Sequence, residues 1–213
     1  MLIEQFATGG DRNFAYLIAD ESAHVAATVD PSYQPERLVE FATGQGFEIV
    51  YSFCTHDHHD HTNGNPAIER LTGCPPLLYG RLDPRTGARV EHGARFPLGE
   101  IEITVLHTPG HTQDSICLLV PGAVLTGDTL FVGKVGGTGF GEDAEQEFAS
   151  LHERLLALPD GTRVLPGHDV GVAKESTIGH ERRTNPFLTC PDLAAFVHLK
   201  RTWTKYKREH GIA

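Results

Sequence analysis

"C-T-H-D-H-H-D-H-T-N-G-N", residues 54–65, sets four histidines and two aspartates within twelve positions. It leaves the nearly all-apolar run "EIVYSFCT" (48–55), which reads as a strand covered on both faces. His56 and His58 stand two apart at an extended chain end, so their side chains point to one side. Asp60 and His61 are adjacent, and a turn into the helix-like "NPAIERLTG" (65–73) aims both at a second point nearby. Neutral imidazoles with a carboxylate suit zinc, iron or manganese. Loops leaving the carboxyl ends of strands are also where α/β folds place their sites. A polar loop with water-facing histidines is the plain alternative, and it does not explain why the pattern recurs. His111 lies in "HTPGHT" (107–112), Asp128 in "LTGDTLF" (125–131) and His168 in "LPGHD" (165–169). Each follows a glycine, which lets backbone approach a buried centre.

Outward from this stretch, strand-like and helix-like pieces alternate. "NFAYLIAD" (13–20) and "HVAATVDPS" (24–32) read as neighbouring strands bounded by turn residues. "PERLVEFATGQG" (35–46) reads as a helix with Pro35 at its first position and glycine at its end. "PPLLYG" (75–80) is a short strand. The middle is strand-rich: "RFPLGEIEITVLHTPGHT" (95–112), "SICLLV" (115–120) and "AVLTGDTLFV" (123–132). "AEQEFASLHERLLALP" (144–159) has Phe148, Leu151, Leu155 and Leu158 at helical spacing and Pro159 as its stop. "TRVLPGHDV" (162–170) adds a strand and loop, and a last helix is expected at about 191–210. The glycine-rich "KVGGTGFGED" (134–143) reads as a mobile loop. With no repeat, low-complexity tract or linker, residues 1–213 are expected to form a single α/β domain.

Lys and Arg total 18 against 28 Asp and Glu, a formal net charge of −10. A polyanion would be repelled on average, which argues against nucleic-acid and anionic-membrane partners. The four cysteines, Cys54, Cys74, Cys117 and Cys190, are scattered without a C-x-x-C pair and read as reduced thiols. Cys54 is expected to pack rather than act as a nucleophile. No secretory pattern and no membrane-length apolar run is present, so the expectation is a cytoplasmic enzyme or binding protein. There is no G-x-S-x-G elbow and no phosphate-binding G-x-x-x-x-G-K-[ST] loop, so the metal-philic cluster has no rival. Oligomeric state leaves no mark on the sequence.

H-x-H-x-D-H at 56–61, T-P-G-H-T at 108–112, T-G-D at 126–128 and P-G-H at 166–168, in that order, resemble the metallo-β-lactamase superfamily. The likeness runs from the first strands to about Leu188. It implies a four-layer αββα sandwich of two mixed β-sheets flanked by helices. It also implies two divalent metal ions, with zinc first and iron or manganese as alternatives. The first ion would take His56, His58 and His111; the second would take Asp60, His61 and His168; Asp128 would bridge them. Asp60 and Asp128 are then also the candidate catalytic carboxylates. Asp30, in "VDPS", matches an aspartate that supports the ligands. Asp57 and His59 fall at variable positions, and His107 is at most a neighbour of ligands.

The chemistry implied is attack of an activated hydroxide on an acyl carbonyl. A thiol leaving group, with a pKa of about 8.5, departs without a strong general acid. Beyond Asp60 the sequence supplies no such acid, which favours a thioester or ester over a β-lactam. Within the superfamily, "STIGHERRTNPFL" (176–188) and "DHTNGN" (60–65) resemble hydroxyacylglutathione hydrolase (glyoxalase II)-like proteins. That implies a small thioester or ester substrate, a glutathione conjugate among the candidates. Persulfide dioxygenases share much of that tail, and resemblance to them implies a single iron on His56, His111 and Asp128 turning glutathione persulfide into sulfite. A non-catalytic metal-binding module is the third class. "VGKVGGTGFG" (132–141) departs from the glutathione-holding stretch of the hydrolases, with Gly137 and Gly139 where relatives carry Arg and Asp. No substrate-binding residue is therefore assigned. Lys200, Arg201, Lys205, Lys207 and Arg208, and likewise Arg182 and Arg183, read as solvated helix faces.

Overall fold

Strand β4 (Glu48–Phe53), which runs into the histidine-rich stretch, sits inside a five-stranded mixed sheet. The computed structural model describes residues 1–211. This sheet has the order β1 (Leu2–Gly9), β2 (Asn13–Asp20), β3 (Val25–Val29), β4, β5 (Pro76–Leu77). Its first two pairings are antiparallel and its last two parallel. The second sheet comprises β6 (Arg95–Leu98), β7 (Ile101–His107), β8 (Ile116–Val120), β9 (Ala123–Gly127), β12 (Arg163–Pro166) and β13 (Ser176–Thr177). Its spatial order is β13-β12-β9-β8-β7-β6, and only β9 and β12 pair in parallel. Between those two strands the chain makes a small hairpin, β10 (Leu130–Phe131) with β11 (Lys134–Val135). The helices are α1 (Pro35–Gly44), α2 (His59–Thr62), α3 (Asn65–Thr72), α4 (Glu142–Ala149), α5 (Ile178–Thr184) and α6 (Leu193–His210). A π-helical turn, Ser150–Leu155, prolongs α4.

The layers follow from side-chain alternation along the strands. On β2, Phe14, Tyr16 and Ile18 face the second sheet, while Ala15, Leu17 and Ala19 face α1. All eight residues of β2 are buried, which is why "NFAYLIAD" carries no clear polar face. Between the sheets, Tyr51 and Phe53 meet Phe96 edge-on at 5.6 and 5.1 Å. Full burial of a side chain such as Phe53 contributes about 1.5–3 kcal/mol. Leu38 and Ala42 of α1 cover the outer face of the first sheet. Leu151, Leu155, Phe196 and Leu199 cover the outer face of the second, against Val124 and Val164. The result is the helix–sheet–sheet–helix stack that the motifs imply.

Parallel pairing delivers the candidate site. Because β3 and β4 run together, Asp30 N donates to Phe53 O at 2.9 Å and Asp30 lies beside Thr55. Because β9 and β12 run together, Gly167 N donates to Gly127 O at 2.8 Å and brings Asp128 beside His168. Two elements differ from the sequence reading. β1 is a strand that mixed polarity conceals: Glu4 and Gln5 lie on a partly exposed strand that ends the sheet. α5 lies inside "STIGHERRT", with Thr177 as N-cap accepting from His180 N.

Candidate metal centre

The residues singled out by the motifs gather at the carboxyl ends of β4, β9 and β12 and in the β7–β8 loop. His58 Nδ1 lies 2.9 Å from His56 Nε2 and 3.1 Å from His111 Nε2. On the other side, His61 Nε2 and His168 Nε2 are 3.1 Å apart, and Asp60 Oδ2 is 3.7 and 3.4 Å from them respectively. Asp128 stands between the two groups. Its Oδ1 is 3.4 Å from both His61 and His168 Nε2, and its Oδ2 is 3.6 Å from His111 Nε2. Ligand atoms of His56–His58–His111, of His56–His61–Asp128 and of Asp60–His61–His168 each fall within 4.8 Å of one another.

Hydrogen bonds behind the rings decide which nitrogen each imidazole presents. His61 Nδ1 is 2.9 Å from Asp30 Oδ2, His168 Nδ1 is 2.8 Å from Asp11 O, and His111 Nδ1 is 2.8 Å from Gly137 O. All three partners are acceptors, so each Nδ1 carries a proton, and the neutral ring that a metal requires turns its Nε2 lone pair inward. The Thr55 hydroxyl donates to Asp30 Oδ2 and faces His56 Nδ1 at 3.1 Å, which sets His56 the same way. Asp30 is held in turn by Thr55 N at 2.7 Å and has a left-handed φ of 49°. Such backbone conformations in a non-glycine residue cluster at functional sites.

The electrostatics favour a cation. Burial opposes charge on His61, but the Asp30 and Asp128 carboxylates outweigh it and raise its pKa to about 11. Burial also works against the Asp128 carboxylate, yet the His168 and His61 imidazoles hold it well below the usual range. His56 is pushed down to about 3 by burial and by His61, which together outweigh the pull of the Asp128 and Asp30 carboxylates. Asp128 Oδ1 is buried and has no donor in hydrogen-bonding geometry. An orphan of that kind costs about 1–3 kcal/mol unless something else satisfies it. Converging lone pairs, an unpartnered carboxylate oxygen and a mixed nitrogen and oxygen donor set fit a borderline divalent metal such as zinc, iron or manganese.

Glycines let backbone pack closely on and around this cluster. A Cβ on Gly136 would lie 2.0 Å from Asp128 O and 3.2 Å from His111 Nδ1. The stretch expected to be a mobile loop is thus packed onto the site, and its next carbonyl, Gly137 O, orients His111. Gly110 has a φ of +142°, and a Cβ there would sit 2.5 Å from Glu147 Cα. Gly110→Ala is expected to destabilise the fold by about 2–4 kcal/mol through strain and overpacking and to displace His111. Thermal melting with metal titration checks both; a wild-type melt would show that α4 gives way freely.

Other sequence candidates fall outside the cluster. Asp57 and His59 are exposed. His107 stacks on Tyr79 at 4.0 Å and holds Gln113 O at 2.9 Å, closing the loop around His111. Cys54 is fully buried, its thiol lies 3.1 Å from Asn65 Oδ1, and burial pushes its pKa well up, which suits packing. Arg182 holds Leu156 O at 2.6 Å and pairs with Asp160. Lys200 is a correction: it is not on a solvated face but buried, with a side-chain exposure of 6%. Asn13, buried against Asp60 and His168, escaped the sequence reading, because a single asparagine at a strand start carries no pattern. The carbonyls of Asp11 and Gly137 carry no side-chain signal either.

Comparison with known proteins places this geometry. The family model for the metallo-beta-lactamase superfamily matches residues 8–168. The chain belongs to the metallo-β-lactamase superfamily. It is 37% identical to a hydroxyacylglutathione hydrolase of Polaromonas sp., covering 79% of this chain and 67% of that one. It is 41% identical to the cytoplasmic hydroxyacylglutathione hydrolase of Arabidopsis thaliana, covering 75% and 65%. The chain thus spans about two thirds of the length of those two relatives. Among solved structures it resembles ETHE1 from Myxococcus xanthus, with a TM-score of 0.86 and 32% identity over 95% of this chain and 91% of that one. Among the described residues no helix is long and apolar enough to cross a membrane.

Proposed function

We propose that this member of the superfamily is a binuclear metallohydrolase that cleaves thioesters or esters. The observation that carries the reading is the pair of ligand triads, His56–His58–His111 and Asp60–His61–His168, with Asp128 between them. Paired divalent ions, zinc in the first place, supply a nucleophilic hydroxide at neutral pH and polarise an acyl carbonyl. The protein's own part is orientation and proton handling. The Asp60 side chain is 32% exposed, the most open of the carboxylates in the cluster, and is placed to take the proton of the attacking water.

Burial alone would raise Asp60, but the Asn13 amide and the His61 and His168 imidazoles outweigh it and hold its pKa below the usual carboxylate range. Asp60 is therefore an anion at neutral pH, suited to accept the proton of the attacking water and not stocked beforehand with one for a leaving group. An amine would need that proton, whereas a thiolate, with a conjugate pKa of about 8.5, leaves without it. This supports the thioester over an amide such as a β-lactam.

A groove of about 370 Å³ runs between Val132, Val172, Lys134, Trp203 and Lys207, with Val170 and Gly171 of the stretch that follows His168 in its lining. Burial lowers the Lys134 pKa, and the nearby positive charges of Lys207 and Arg12 lower it further. Two lysines beside an aromatic wall suit an anionic thiol-bearing moiety, a glutathione conjugate being one candidate, in an otherwise acidic protein. The alternative is a persulfide dioxygenase with a single iron on His56, His111 and Asp128, and the 3.6 Å approach of Asp128 to His111 is the observation that favours it.

Metal analysis of protein purified without added metal separates the two. Two divalent ions per chain and chelator-sensitive hydrolysis of S-lactoylglutathione or a simple thioester are expected. One iron per chain with oxygen uptake on glutathione persulfide would replace this reading with the alternative.

A further inference from the structure

We infer that Asn13 is a positioning residue for the second of the two ion sites, fixing the carboxylate of Asp60; this rests on the binuclear reading above. Asn13 opens β2, is fully buried, and its backbone forms an isolated antiparallel bridge with His168. Its Nδ2 donates to Asp60 Oδ2 at 3.0 Å and to Asp60 O at 3.1 Å, and lies 3.5 Å from His168 Nε2. Asp60 Oδ2 and Asp60 O accept in every protonation state, and so does the Nε2 of a neutral His168, whose Nδ1 donates to Asp11 O. That set allows one orientation of the amide, with nitrogen towards the site. The oxygen it holds, Asp60 Oδ2, is the one facing His61 and His168 Nε2 at 3.7 and 3.4 Å.

The other end of the amide shows what this placement costs. Asn13 Oδ1 is buried without a donor. A residue present only to fill space would pack better without that oxygen, because an unpaired buried acceptor costs about 1–3 kcal/mol. Asn13 therefore spends stability to hold two groups that are 47 and 155 residues away in the chain. Outer hydrogen bonds of this kind orient a ligand and tune its donor strength, and their loss typically weakens metal affinity 10–100-fold. The Asn13 amide reaches Asp60 and His168 and not His56, His58 or His111, so the effect falls on one site.

The test is zinc titration of the metal-free full chain against a chromophoric chelator, with the melting temperature of the metal-free form recorded alongside. Asn13→Leu keeps the branched shape and removes both polar ends; Asn13→Ser repeats the measurement without added bulk. The expected result is a second-ion Kd raised about 10–100-fold with the first-ion Kd unchanged, and a metal-free melting temperature for Asn13→Leu no lower than wild type. An unchanged second-ion Kd would overturn the inference. So would equal weakening of both ions with a lower melt, or a wild-type chain that takes one ion only. Zinc binding is read without substrate, so a chain that takes two ions yet hydrolyses no thioester would sink the proposed activity and leave this inference standing.

Discussion

Asp128→Asn is expected to lower thioester kcat/KM by on the order of 10³-fold, about 4 kcal/mol of transition-state stabilisation, while the chain still folds. The substitution preserves shape and removes the charge that both groups of histidines share. Asp128 Oδ1 faces His61 and His168 and Oδ2 faces His111, so this one carboxylate is shared by both groups of histidines. His61 loses one of the two anions that raise its pKa, the other being Asp30 behind the ring. A neutral amide also turns either an N–H or a weaker acceptor towards each group, and an N–H aimed at the His61 and His168 lone pairs repels a cation between them. Metal content is therefore expected to fall below two ions per chain in the same variant. Steady-state kinetics on a thioester and metal analysis of the purified variant check the two halves together. A variant with two ions and near wild-type turnover would show that Asp128 is a bystander.

The clustering of these histidines and aspartates was legible because each motif couples a metal-philic side chain to a chain feature with its own signature: a strand exit, a glycine, or both. "EIVYSFCT" and "TRVLPGHDV" announce buried strands, and buried strands point their carboxyl ends at one edge of a layered α/β fold. What stayed hidden is what acts through backbone. His111 is oriented by Gly137 O and His168 by Asp11 O, and any residue type can supply a carbonyl. β1 was hidden for another reason: with Glu4 and Gln5 partly exposed at the side of the sheet, its polarity alternates too weakly to stand out. Lys200 was misread because a charge in an amphipathic helix is normally solvated, and only the tertiary contact with α4 reveals its partner.

That partner makes Lys200→Met the substitution with the largest expected effect on stability. The Lys200 ammonium pairs with the fully buried Glu147 carboxylate, donates to Gly136 O at 2.7 Å, and lies over the Phe196 ring at 5.3 Å. Burial pushes Glu147 up to about 7 and Lys200 down, and each charge offsets part of the other's shift. Removing one member leaves the other uncompensated in the interior, which costs about 3–5 kcal/mol. For a chain of this size that is a melting-temperature drop of roughly 6–20 °C. The sign of its pH dependence follows from the raised Glu147 pKa. Protonated Glu147 relieves the loss below the unfolded carboxylate pKa, and the loss grows as pH rises through the folded value near 7. The deficit is therefore expected to be smaller at pH 5 than at pH 8, as read by urea unfolding at both. Glu147→Leu with Lys200→Met removes both charges and is expected to recover most of the stability, since an apolar pair of similar volume often replaces a buried ion pair without loss. It does not restore the donor to Gly136 O, and Gly136 adjoins the carbonyl that orients His111. A double variant with recovered melting but lowered kcat/KM would separate the two roles of Lys200. A single variant as stable as wild type at pH 8 would show that Glu147 reaches water on its own and that the pair is no anchor.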